Sequence, residues 1–207
     1  MNLPYFSSVK NNVELLKKEL ADCKTVVDLG CGADSNLKYL DKSISTYGVD
    51  IYKKDLVIAK KNKTHKFFVL SDIVEIKKHF KKKSVDACVM LDVIEHLPKD
   101  RALKLIKDME YIAKRKIIIC TPNGFLPQGE GEDGDYQKHL SGWTSKQMRK
   151  LGFVVYGING LKILRGEYHK IKFKPYFFWV LVSFFSQKLW CYKHPESSTA
   201  IFCVKEI

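Results

Sequence analysis

The six cysteines contain no C-x-x-C pair, which removes the commonest zinc and dithiol-redox signatures. Cys23, Cys31, Cys88, Cys120, Cys191 and Cys203 stand instead in or beside apolar runs, and reduced core thiols are expected. No apolar run approaches the roughly 20 residues that a membrane-spanning helix requires. The opening MNLPYFSSVK lacks the apolar stretch of a secretory signal, so a cytoplasmic setting is the expectation. Internal repeats are absent. Acids are scarce: 23 Asp and Glu face 36 Lys and Arg, a formal net charge of +13. That imbalance suits nucleic acid, a membrane surface or an acidic metabolite, and equally a lysine-rich solvated surface.

What is present suffices for one domain over residues 1–207, since 45% of the residues are hydrophobic. Residues 8–21 read as an amphipathic helix with Val13, Leu16 and Leu20 on one face and Ser7 or Ser8 as cap. Then come strand TVVDLG, helix SNLKYLDK, strand STYGVDI, helix KKDLVIAKK, strand KFFVLSDI and helix VEIKKHF. Strand VDACVMLDV, helix KDRALKLIKDMEYIA and strand KIIICTPN follow, then a helix capped by Thr144 and stopped at Gly152, and strands FVVYGI and STAIFCVKEI. Near-continuous apolar strands separated by helices predict an α/β fold, a doubly wound Rossmann-like sheet with helices on both faces. The core covers about 22–160 and 198–207, with an aromatic-rich insertion at about 161–197.

Chemistry gathers at the predicted strand ends, where such sheets bind ligands. VVDLGCG turns a strand sharply, and Gly30 and Gly32 let bare backbone approach a ligand. A helix from about Asn36 is expected to aim its first amides there. Asp50 ends the second strand, placed to accept both hydroxyls of a ribose. Asp72 ends the third and can accept from an adenine amine, with Ile51 and Ile73 packing on the ring. Asp92, Glu95 and His96 follow the fourth strand in LDVIEHL. A dinucleotide fits poorly, because GCGADS has Ser35 in place of a third glycine and Asp28 and Asp34 would oppose a pyrophosphate. S-adenosylmethionine, with its ammonium and sulfonium, suits those acids better.

VVDLGCG, YGVDI, LSDI, VDACVMLDVIEHL and IIICTPNG run in an order that resembles the class I S-adenosylmethionine-dependent methyltransferases, particularly the type 11 group, over about residues 24–124. The resemblance implies that Asp28, Gly30 and Gly32 hold the methionine part, Asp50 the ribose and Asp72 the adenine. It sets Asp92 by the sulfonium and adds an antiparallel strand near the C-terminus. The Pro-Gly-Gly turn that many members carry before the fifth strand is replaced here by IAKRKIIIC.

For the acceptor side, His139 in QKHLSGWT and His96 are the candidate bases; packing, capping or loop-holding roles compete with that reading. Asn123 in TPNG is either an acceptor contact or a turn residue. Glu130, Glu132, Asp133 and Asp135 show no fixed ligand spacing, so no metal is expected. PYFFWVLVSFFSQKLW, between flanking lysines, reads as a lid, a homodimer interface or a membrane-surface element spanning 171–190. KKNKTHK and KKHFKKK have few interleaved aromatics, which disfavours an RNA substrate. The expectation is methyl transfer to oxygen, nitrogen or carbon of a small or lipid-like acceptor. RNA methylation and non-catalytic adenosyl binding are the rivals, and a dehydrogenase is more distant.

Overall fold

The computed structural model describes residues 12–127, 138–165 and 171–207. Seven strands, β1 (Thr25–Leu29), β2 (Ser45–Asp50), β3 (Phe67–Leu70), β4 (Val85–Leu91), β5 (Ala113–Pro122), β6 (Val154–Leu161) and β7 (Ser198–Glu206), form one sheet in the order β3-β2-β1-β4-β5-β7-β6. β1 pairs in parallel with β2 and with β4, and β2 with β3. β7 runs antiparallel. This is the expected Rossmann-like sheet. Its strand order reverses between β1 and β4, the switch point where such sheets open a crevice beyond their carboxyl ends.

The strands read as they do because of where they lie. Val26, Val27 and Leu29 of β1 and Ala87, Cys88, Val89 and Met90 of β4 are fully buried, as strands covered on both faces must be. The helices are residues 12–19 (α1), α2 (Lys53–Lys61), α3 (Lys99–Ile112), α4 (Ser145–Lys150) and α5 (Tyr176–Ser186). In α3, Ala102, Leu105, Ile106, Met109 and Ile112 form the buried stripe that a 3.6-residue period predicts. α4 opens with a capping box between Thr144 and Gln147. Gly152, at φ +89°, takes the left-handed backbone beyond its end.

Two predicted helices are absent. SNLKYLDK forms only a 3₁₀ turn at Asn36–Tyr39, and VEIKKHF another at Ile73–Lys78. In the first, Leu37 is the only buried residue of the turn, Leu40 turns extended, and the Asp41 side chain accepts from Ser43 N–H to start a competing turn. In the second, the Asp72 carboxylate accepts from Val74 N–H, and β-branched Ile73, Val74 and Ile76 lower the helical tendency. The expected Ser7 or Ser8 cap and the acids Glu130, Glu132, Asp133 and Asp135 lie outside the described residues. No helix among the described residues is long and apolar enough to cross a membrane.

Contacts group the chain into two compact units. One comprises Val13–Val93, Lys99–Ile119 and Val204–Ile207; the other comprises Met1–Asn12, Ile94–Pro98 and Cys120–Cys203. In the first, Lys116 meets Glu19 and Glu206, and Lys205 meets Glu110 at 2.6 Å. In the second, Asn123 Nδ2 donates to the carbonyls of Pro195, Glu196 and Ser198 and pins the approach to β7. The amide that the sequence left open as an acceptor contact is spent on backbone.

All six cysteines are buried thiols. Burial, aided by the Asp22 carboxylate, pushes the Cys23 thiol up to about 11. At pH 8 such a thiol is ionised to about one part in a thousand, and the thiolate is the reactive form. Ellman's reagent at pH 8 is therefore expected to label the native protein at least about a hundredfold more slowly than the protein in guanidinium. Rapid labelling of the native fold would contradict the packing described.

Candidate active site

The first group of candidate residues forms around the end of β1. Asp28 is only 1% exposed, and a carboxylate buried so deeply must be met by donors. The Ser35 hydroxyl donates to its Oδ2 at 2.5 Å, and His65 Nε2 lies 3.1 Å from the same oxygen. Ser35 Oγ in turn accepts from Leu37 N–H, and His65 Nδ1 lies 2.9 Å from the Thr64 hydroxyl. Nε2–H can donate to Asp28, while the single Thr64 hydroxyl proton serves either His65 Nδ1 or Ala59 O, 3.3 Å away. Gly48 makes room for the ring, since a Cβ there would stand 2.8 Å from His65 Nδ1.

Gly30 and Gly32 both adopt positive φ, +72° and +56°. Their surroundings differ. A Cβ on Gly30 would lie 2.6 Å from Val93 Cγ2, whereas one on Gly32 would meet nothing within 4 Å. The amides of this turn are committed. Gly30 and Cys31 N–H both donate to Val49 O, at 2.8 and 3.1 Å, and Gly32 N–H donates to Asp50 Oδ2 at 2.8 Å. Asp50 Oδ1 accepts from Tyr52 N–H. Its two oxygens therefore brace the turn and the entry to α2.

With these amides committed, the turn has few backbone donors left for a ligand. The helix that was to aim free amides at the site is a four-residue 3₁₀ turn, too short for a macrodipole. The turn carries carboxylates and spent amides instead. Burial, and then Asp28 and Asp50, push the Cys31 thiol well above its ordinary value. Such a site favours a cationic ligand and disfavours a pyrophosphate.

Asp72 closes its own 3₁₀ turn, beside a buried Ile73, and Ile51 is exposed beyond Asp50. Asp92 holds φ +54°, a strained backbone for a non-glycine residue.

In the other unit, Glu95, His96 and His139 come together, their ligand-capable atoms all within 4.8 Å of one another. Glu95 is buried and its Oε2 accepts from the Thr121 hydroxyl at 2.9 Å. Its carbonyl accepts from Leu140 and Ser141 N–H, which ties the His139 segment to the Glu95 turn. Trp143, buried, adds an indole N–H bond to Ser141 Oγ. His139 Nδ1 lies 2.6 Å from Leu126 O, and His96 Nδ1 lies 3.1 Å from Lys138 O. A carbonyl only accepts, so both Nδ1 atoms carry protons, and in the neutral ring Nε2 then carries the lone pair. The rings meet edge to face at 4.8 Å. Two such nitrogens and a carboxylate can take up a proton, and they are also a donor set that suits a divalent cation.

Residues 27–116 match the family described as "Methyltransferase domain". Over that stretch the sequence is that of an S-adenosylmethionine-dependent methyltransferase domain. No curated protein sequence matches the chain. Solved structures share its fold. The methyltransferase domain of bacterial CtHen1 superposes with a TM-score of 0.59 at 22% identity, over 99% of this chain and 100% of that one. An S-adenosylmethionine-dependent methyltransferase from Archaeoglobus fulgidus gives 0.57 at 20% identity, over the whole of both chains. Magnesium protoporphyrin IX methyltransferase from Synechocystis PCC 6803, with bound S-adenosylmethionine, gives 0.53 at 17% identity, over 99% of this chain and 85% of that one.

The methyltransferase residues fit that cofactor. Open space beside Gly32 would receive its amino-acid end, where the buried Asp28 supplies negative field rather than a contact, and Asp50 would hold its ribose. Sequence reasoning named these acids but missed His65, the ring that keeps Asp28 in place. A histidine in KNKTHK reads as part of a basic surface, and nothing local announces a partner 37 positions earlier. The convergence of His139 on Glu95 and His96 was likewise invisible.

Gly32→Ala is expected to cost only the positive-φ penalty, about 1–2 kcal/mol of stability. It should nevertheless weaken S-adenosylhomocysteine binding at least about tenfold by calorimetry, because the methyl enters the open space. Gly30→Ala adds the Val93 overlap to the same penalty and should melt lower than Gly32→Ala. Unchanged affinity in Gly32→Ala would remove this turn from the cofactor site.

Proposed function

We propose that the methyltransferase domain acts on an ionisable oxygen or nitrogen of a small or lipid-like acceptor, and that His139 removes the acceptor's proton. When bound, S-adenosylmethionine supplies an electrophilic methyl group on a cationic sulfur. An acceptor hydroxyl or ammonium is a poor nucleophile until it loses its proton, and a histidine near neutral pH suits that task. The observation that carries the reading is the 2.6 Å contact of His139 Nδ1 with Leu126 O. It holds the ring in one tautomer, with Nε2 as the proton acceptor. The nearby Glu95 carboxylate offsets the positive charge that the ring then gains, and His96 supports it from the side. Exposed Phe125 and Leu140 flank the segments that carry Leu126 and His139, which favours an acceptor with an apolar body.

A second reading, RNA methylation, is favoured by the net charge of +13. The solved structure of small RNA methyltransferase HEN1 also shares the fold, with a TM-score of 0.60 at 22% identity over 94% of this chain and 24% of that one. RNA binding that falls steeply with salt, together with label transfer to RNA, would support it over the first.

The test is a panel of phenols, quinols, fatty acids and RNA incubated with isotopically labelled S-adenosylmethionine. His139→Ala is expected to lower kcat on the active acceptor at least about tenfold, with S-adenosylhomocysteine affinity unchanged. His96→Ala should lower it less. EDTA should leave turnover as it is. Loss of activity in EDTA with recovery on adding manganese would instead assign the three side chains to a metal. Cofactor binding without turnover on any acceptor would favour a non-catalytic adenosyl-binding protein.

A further inference from the structure

α5 is built inside out. It runs from Tyr176 to Ser186 and continues through a π-type turn, Gln187–Cys191. The buried stripe is Ser183, Gln187 and Cys191, spaced four apart. Its contacts are polar. Gln187 Nε2 donates to Gly157 O at 2.8 Å, its Oε1 accepts from Gly160 N–H at 2.9 Å, and Arg165 donates to Ser183 Oγ at 3.0 Å. The approach is so close that a Cβ at Gly157 would overlap Cys191 O, and one at Gly160 would overlap Ser183 Oγ. The helix therefore docks on β6 by backbone and short polar groups.

Its long apolar side chains point the other way. Phe177, Phe178, Leu181, Phe185, Leu189 and Trp190 are all exposed, Phe177 at 72% and Leu189 at 78%. An ordinary surface helix does the reverse. A contiguous apolar face of this kind marks an interaction surface.

Charge identifies the partner. Between Glu167 and Glu196 the sequence contains five lysines, at 170, 172, 174, 188 and 193, and no acid. Lys174 lies over the Tyr176 ring and Lys188 over the Phe184 ring, so cations rim the apolar face. A second copy joined through α5 would bring two such rims together with no acid in the segment to offset them. An anionic bilayer complements both features. The helix and its turn, at about 1.5 Å per residue, fall short of the roughly 20 apolar residues needed to span. They suit the plane of the interface, with the rings at the acyl boundary and the lysines among headgroups.

We propose that α5 is a membrane-surface anchor, seating the protein on bilayers that contain anionic phospholipid. The proposal rests on the exposed face and the lysine rim, and stands apart from the acceptor assigned above. The full-length chain is expected to cosediment with vesicles of phosphatidylcholine and phosphatidylserine, and less with phosphatidylcholine alone. Trp190 sits on the lipid side, so the tryptophan emission should shift to the blue on binding. The double variant Phe177→Ser with Leu189→Ser should lose at least about tenfold in partitioning, and Lys188→Gln about fivefold. Both replace exposed side chains, and unchanged melting curves would show that the fold persists. Absence of binding to the anionic vesicles would overturn the proposal, as would undiminished binding by the double variant. A concentration-dependent dimer of the parent chain, abolished in the double variant, would assign the face to a second copy instead. No acceptor enters these assays, so their failure leaves the methyl-transfer reading intact.

Discussion

A carboxylate shut away from water at the end of the first strand governs the cofactor side of this protein. Asp28 has no solvent to stabilise it, so Ser35 and His65 must do so. Ser35 thereby sets the path of the chain after the Gly30–Gly32 turn. His65, seated against Gly48, links that turn to the chain just before β3. Removing one partner would leave a buried carboxylate short of a donor, which typically costs about 1–3 kcal/mol. A turn held this firmly needs no mobile loop to present its open glycine. It is preorganised, which lowers the cost of ordering a ligand there.

The same logic of buried polar groups recurs in the other unit, with different partners. Asn123 reaches three carbonyls at the entry to β7, Gln187 spans Gly157 and Gly160, and Glu95 anchors Thr121 by its carboxylate and the His139 segment by its carbonyl. These side chains replace water for backbone that would otherwise be orphaned. In α5 this has an unusual result. The inward face is polar because it meets strand backbone at glycines, and the apolar side chains are displaced outward.

Much of the architecture was legible residue by residue. β1 and β4 announce themselves as unbroken apolar runs because both faces of a central parallel strand are covered. α3 is legible through its period, and α4 through Thr144 and Gln147. The acids at the strand ends were legible because parallel sheets place ligands there. The segments SNLKYLDK and VEIKKHF misled, because few of their side chains become buried and Asp41 and Asp72 offer local turns that compete with helix. Local pattern sees the propensity and not that competition.

Local chemistry in the chain therefore determined the sheet class, the glycine turn, the acids and the family resemblance, since these depend on near neighbours and on strand periodicity. Only the tertiary structure decided that β7 lies between β5 and β6, that His65 completes Asp28, that His139 joins Glu95 and His96, and that the aromatic face of α5 is turned outward. Each of those pairs residues tens of positions apart. Such pairings are selected by which groups can satisfy one another once water is excluded, and spacing along the chain carries no record of that.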